Sequence, residues 1–197
     1  MTALVLPDVR WFPSWAATVR EFDDVEHVHA AGFWNLDGRR PPLTEEGLAD
    51  FVRLLESTTG GTPDGTWVPN TYFWITAADG GPGDEVIGFL HVRHELNDFL
   101  LEEDGHIGYG VRPSARGQGH ATRALALAVE YCAELGIERA LVTCDEDNEP
   151  SRRTIERCGG VFEDVRGAKR RYWIDAVRRT ARKRPASGRG GAGRGSR

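Results

Sequence analysis

Between residues 106 and 131 the chain reads HIGYGVRPSARGQGHATRALALAVEY. An apolar, β-type run from His106 to Val111 is stopped by Pro113 and Ser114 and followed by a glycine-rich bend. A long helical stretch then begins near Ala121. A helix start leaves several main-chain N–H groups unpaired at its positive end, and an anion can reach them only where no side chain blocks the way. Gly117, Gly119 and Ala121 clear that approach, so the segment Arg116-Gly117-Gln118-Gly119-His120-Ala121 reads as a diphosphate cradle. It has neither the Lys-Ser/Thr pair of a nucleotide-triphosphate loop nor the G-x-G-x-x-G of a dinucleotide fold, which argues against both.

The rest of the chain gives this unit a setting. Phe12, Trp15, Ala16, Val19 and Phe22 recur at helical spacing behind Pro13 and Ser14, and Thr44 caps a second helix carrying Leu48, Phe51, Val52 and Leu55. These two helices are expected to precede the first strand. The segments 72–77 and 86–92 read as a hairpin turned by the Gly/Pro/Asp cluster at 79–84. After the helix from Ala121 to Leu135, ended by Gly136, a strand at 140–144, a helix at 151–158 and strands at 161–165 and 172–176 follow. The β-α-β crossover predicts that the strands at 106–111 and 140–144 lie parallel within one mixed sheet.

Composition narrows the function classes. At 197 residues the chain is long enough for one domain without staples, and its apolar runs are too short to cross a bilayer. MTALVLPDVR has no secretory pattern, so the expected location is cytoplasmic. Cys132, Cys144 and Cys158 are odd in number and widely spaced, which reads as small buried hydrophobes rather than a disulfide or metal set. Residues 178–197 hold eight Arg and Lys and no acid, leaving 17 basic against 30 acidic residues in 1–177, a net of −13. An acidic body disfavours nucleic acid and suits a cationic or amine-bearing substrate. The low-complexity tail is expected to be disordered. Its charge keeps a nucleic-acid arm in view, but the tail has no aromatic stacking platform.

The pattern R-x-x-G-x-A between strand and helix, joined by Asn148-Glu149-Pro150-Ser151 after the next strand and by a helix ending at Gly159, resembles the acetyl-CoA signature of the GNAT superfamily of N-acetyltransferases. The similarity spans about residues 70–177 and is strongest over 106–160. It implies an α/β (α+β) fold with a mixed, mostly antiparallel central sheet, a β-α-β acetyl-CoA-binding core and flanking helices. It implies one domain over 1–177, with 1–70 supplying helices and acceptor-side loops and 71–177 the sheet and core. Acetyl-CoA is the implied cosubstrate, with no metal, and the acceptor a small amine or peptide amine. Monomer and homodimer stay open. On this resemblance the main chain of Val111 pairs with the pantetheine arm, the amides from Arg116 to Ala121 hold the diphosphate, and Asn148 and Ser151 lie beside the arm.

The implied reaction is direct attack of a neutral amine on the thioester. It asks for a base, an oxyanion donor and an acid for the leaving thiolate. A main-chain N–H near Val111 serves the oxyanion. His106 is the first candidate base, with His91 and Glu95 after it. Many family members carry a Tyr seven residues beyond the motif Asn, where this chain has Ile155, so Tyr109 and Tyr172 are the substitute acids. That departure also admits a catalytically weak acetyl-CoA-binding or sensing domain. The stretches at 67–74 and 93–101 are expected on the acceptor side.

Overall fold

The structure is a computed structural model and describes residues 1–22, 28–37, 39–77 and 84–176. The chain opens with a strand that the sequence reading did not anticipate, β1 (Thr2–Val5), which pairs antiparallel with β2 (Asn70–Ala77). Helix α1 (Phe12–Glu21) starts at Pro13 and buries Trp15, Ala16, Thr18 and Val19. Helix α2 (Glu45–Ser57) starts at Thr44, whose hydroxyl accepts from Gly47 N–H at 3.0 Å, with Glu45 and Glu46 against the positive end.

β2 pairs antiparallel with β3 (Glu85–Arg93), and β3 with β4 (Ile107–Val111), so the first sheet runs β1-β2-β3-β4. The register sets its two faces. Tyr72 lies opposite His91 and Trp74 opposite Phe89 on the side covered by α1 and α2, where Trp15 stacks on Trp74 at 6.3 Å. Ile75, Leu90, Val92 and Ile107 point to the other side and pack with Ala124, Leu125, Ala128 and Cys132 of α3 (His120–Glu134). A second sheet has the order β5-β7-β6, from β5 (Arg139–Asp145), β6 (Val161–Arg166) and β7 (Lys169–Asp175), with α4 (Glu149–Arg157) between β5 and β6.

The mixed α+β architecture is therefore as expected, but the parallel pairing of β4 with β5 is not. Every ladder among the described residues is antiparallel, and β4 and β5 form none. Their main-chain junction lies just before β4 and in the middle of β5. Gly105 bridges Val142, His106 N–H donates to Leu141 O at 2.7 Å, and Leu141 N–H donates to the His106 side chain at Nδ1, 2.9 Å. An imidazole thus takes the place of the next main-chain acceptor, and the strands part beyond it. Most of the predicted 79–84 turn and the whole basic tail lie outside the described residues. No helix among the described residues is long and apolar enough to cross a membrane.

Candidate active site

Where β4 and β5 separate, a cavity of about 480 Å³ opens, lined among others by His91, Gly108, Tyr109, Cys144, Asn148 and Ser151. The exposed edge of β4 follows from strand alternation. Arg112 N–H donates to Ile87 O at 2.8 Å, so the even-numbered residues of β4 direct their main-chain groups toward β3. Tyr109 and Val111 direct theirs to the side that β5 has vacated. Consistent with this, Val111 O accepts from Arg116 Nε at 2.9 Å instead of from a strand.

The bend before α3 carries Gly117 at φ 74° and Gly119 at φ 83°, a left-handed conformation that glycine adopts without strain, and the space where a Cβ would stand is open at both. Among the described residues, the N–H groups of Gly117, Gln118 and Gly119 make no main-chain hydrogen bond. The side chains brace the bend. Gln118 Nε2 donates to Ser114 O at 3.1 Å, Arg116 holds Val111, and His120 Nδ1 lies 2.9 Å from the Thr2 hydroxyl on β1. Glu21 of α1 secures the approach by accepting from Ser114 N–H and Oγ. Burial raises its pKa, but those bonds and the Arg112 guanidinium outweigh burial and lower it. Open glycines, unpaired amides and a free strand edge fit acetyl-CoA: a diphosphate at the bend and an amide-bearing arm along β4.

The predicted site residues divide by location. Tyr109 lines the cleft with its hydroxyl 2.9 Å from Ser151 Oγ, and burial pushes its pKa well up, so the phenol keeps its proton. Asn148 caps α4 by accepting Ser151 N–H at 3.1 Å and also lines the cleft. His91 lines it too. It is 3% exposed, and burial, aided by the Arg93 charge, holds its pKa well below the usual range. Neither His91 nitrogen forms a well-aligned hydrogen bond within the protein, although the Ala30 main chain stands near enough to favour the charged form slightly. Its ring rests against Trp34 at 5.0 Å, edge to face.

Three other candidates lie elsewhere. His106 does not line the cleft; it is buried at the strand junction with Nδ1 occupied and its pKa pushed down to about 4, by burial first and the Arg93 charge second. Tyr172 is buried on β7, accepting from Arg170 Nε at 3.0 Å and donating to Glu156 at 3.5 Å. Glu95 borders neither described cavity. Ile155 is fully buried on the core side of α4.

Arg93, in the stretch expected on the acceptor side, borders the cleft, as do Trp34, Asp104 and Cys144, which sequence reasoning missed as site residues. In sequence, Cys144 looks like an ordinary strand position and Trp34 sits in a loop. Only the fold assembles them.

A free strand edge that runs from the parted strands to an open, anion-accepting helix start is the arrangement of an acyltransferase that takes its acyl group from acetyl-CoA, although Val111 and the bend at Arg116 to Ala121 do not themselves border the cavity that Tyr109 lines. The profile of the Acetyltransferase (GNAT) domain matches residues 15–161, about three quarters of the chain, and the chain belongs to that family. No curated protein sequence matches it. Among solved structures it is similar to Mycobacterium smegmatis RimJ in complex with a CoA disulfide, at TM-score 0.58 and 21% identity over 89% of this chain and 82% of the other. It is also similar to a Salmonella typhimurium acetyltransferase that modifies the N-terminal serine of a 50S ribosomal subunit protein, at TM-score 0.57 and 18% identity over 88% and 94%. The microcin C7 self-immunity acetyltransferase MccE, solved with acetyl-CoA and AMP, aligns at TM-score 0.56 and 15% identity over 88% and 92%. These likenesses show the shared fold.

Proposed function

We propose that the protein transfers the acetyl group of acetyl-CoA to a primary amine by direct attack, without an acyl-enzyme. The observation that carries this reading is the Tyr109 phenol, hydrogen-bonded to Ser151 across the parted strands in a cleft that continues to His91. The amides of Gly117, Gln118 and Gly119 hold the diphosphate, the outward main chain of Val111 pairs with the pantetheine arm, and Asn148 lies beside it. Acetyl-CoA supplies the acyl group as an activated thioester. A second outward main-chain N–H near Val111 receives negative charge on the carbonyl oxygen. His91, uncharged at neutral pH, accepts a hydrogen bond from the amine and aligns its lone pair. As the C–N bond forms and the C–S bond breaks, Tyr109 gives its proton to the sulfur; the proton shed by the acylated nitrogen returns through water to the phenolate that Ser151 steadies, leaving an amide and the CoA thiol.

Tyr109 answers the difficulty posed by Ile155. A phenol from β4 meets the first turn of α4, which favours turnover over a silent acetyl-CoA sensor. The test is CoA-thiol release across a panel of amines, with calorimetry of acetyl-CoA in parallel. Amine-dependent release supports transfer; tight binding with no release from any amine supports the sensor instead.

A further inference from the structure

A second cavity of about 370 Å³ adjoins the cleft on the α1–α2 face of the first sheet, and the two share Trp34, His91, Arg93 and Asp104 as borders. We infer that this cavity takes the acceptor, and that the acceptor is a primary amine carried on a flat aromatic group. The inference rests on the acetyl-transfer reading and adds the substrate class.

Three features carry it. The first is aromatic surface. Trp34 and Tyr72 each meet the His91 ring edge to face, at 5.0 and 6.2 Å, and lie tilted to one another at 5.9 Å. Trp67 and Phe99 stand at the mouth, 54% and 62% exposed, where two large aromatic side chains bordering one cavity leave much apolar surface uncovered.

The second is charge. The charged residues of the lining are Arg93 and Asp104. They neutralise each other at 2.7 Å, and Arg93 also donates to Gly105 O at 3.0 Å. A polyamine or aminoglycoside would bring several cations to a wall with no spare carboxylate. A single amine on an apolar body meets no such deficit.

The third is unpaired polar groups. Asn70 is fixed by Nδ2 donating to Thr58 O and Val68 O, both at 3.3 Å, which also settles the amide's orientation, because the flipped form would set oxygen against oxygen. Its Oδ1 is then buried with no partner, and the nitrogens of His91, at the junction with the cleft, have only the poorly aligned Ala30 main chain beside them. An occupant that donates N–H to Asn70 in the cavity and presents its amine to His91 satisfies both.

The experiment compares kcat/KM for tryptamine, whose indole N–H can donate to Asn70, with agmatine, spermidine and kanamycin, using CoA release by the full chain. Tripeptides beginning with Trp or Ser form separate arms, which distinguish a free aromatic amine from an aromatic chain terminus. The expected result is a preference of about tenfold or more for the aromatic acceptors. Trp67→Ala and Phe99→Ala, both at exposed positions that folding tolerates, should raise the aromatic acceptor's KM by a similar factor while leaving the acetyl-CoA KM within about twofold. Equal efficiency for aromatic and aliphatic amines, a preference for the polycations, or unchanged KM in both variants overturns the assignment while leaving acetyl transfer intact. Failure of acetyl-CoA to bind in calorimetry removes acetyl transfer, and this inference with it.

Discussion

Tyr109 and Tyr172 show how residue chemistry depends on where a strand places it. Both are tyrosines on strands, and both hydroxyls are hydrogen-bonded. Of the two, Tyr109 borders the cleft, and burial keeps its phenol protonated. Tyr109→Phe is therefore expected to lower kcat on the order of a hundredfold with little change in acetyl-CoA Kd. Tyr172→Phe should leave kcat unchanged and cost about 1 kcal/mol of stability through its lost hydrogen bonds. Steady-state kinetics with calorimetry separates the two, and equal kcat in both variants would remove the phenol from the mechanism. His91 makes a pH prediction. Its pKa lies well below 6.5, so it is already neutral through the working range. The kcat/KM profile should rise with pH toward the acceptor amine's own pKa and show no inflection near 6.5. A titration near 6.5 that disappears in His91→Gln would mean that the imidazole ionises in the working enzyme.

At the scale of elements, the junction of β4 with β5 depends on His106. Leu141 N–H has the His106 ring as its acceptor, so His106→Ala leaves a buried donor unpaired, at a cost of about 1–3 kcal/mol. The same ring links stability to pH. Its pKa is about 4 in the folded protein, against about 6.5 when unfolded, so between those values the unfolded chain binds a proton that the folded chain refuses. Stability is complete above pH 6.5 and falls as the pH drops toward 4. Urea midpoints at pH 7, 6 and 5 should decline, and His106→Gln should flatten that slope without abolishing it, since His91 shifts in the same direction. β1 supports a different prediction. Thr2 clamps His120 beside the glycine bend, so Thr2→Val should weaken acetyl-CoA binding several-fold, or about 1 kcal/mol, with α3 still folded. The bend was legible in sequence because glycine spacing, a helix start and an apolar strand agree in one window. β1 was not, because TALV is too short for alternation to distinguish it from a loop. Nor was the parting of β4 and β5, since a crossover pattern predicts neighbouring strands and carries no record of a side chain intercepting the ladder at its first rung. The ranking of the base candidates was not legible for the same reason: His91 reaches the cleft and His106 does not, and only register and the bridge at Gly105 separate an open ring from a clasped one.

The described residues form two antiparallel sheets that meet near Gly105, with Gly108 and Tyr109 of β4 on one side of the cleft and Cys144 and Asn148 on the other; the proposed diphosphate site at the bend lies beyond the end of β4. A bound acetyl-CoA that contacts both sides does by association what the missing ladder does not do covalently or by strand pairing. It stabilises the folded state in proportion to its occupancy. At about a hundredfold over Kd the gain is about 2.7 kcal/mol, which for a domain of this size corresponds to roughly 5–10 °C in Tm. The distribution of that stabilisation tests the architecture more sharply than its size. With the arm between the two sets, as proposed, hydrogen exchange should slow at residues 107–111 and 117–122 and, independently, at 143–148. Protection confined to the bend would mean that only the diphosphate is held and that the gap between the sheets is not the acyl-transfer channel. Protection on both sides should be matched in His106→Ala by a larger ligand-induced rise in Tm than in the parent protein, since a loosened corner gains more from being bridged.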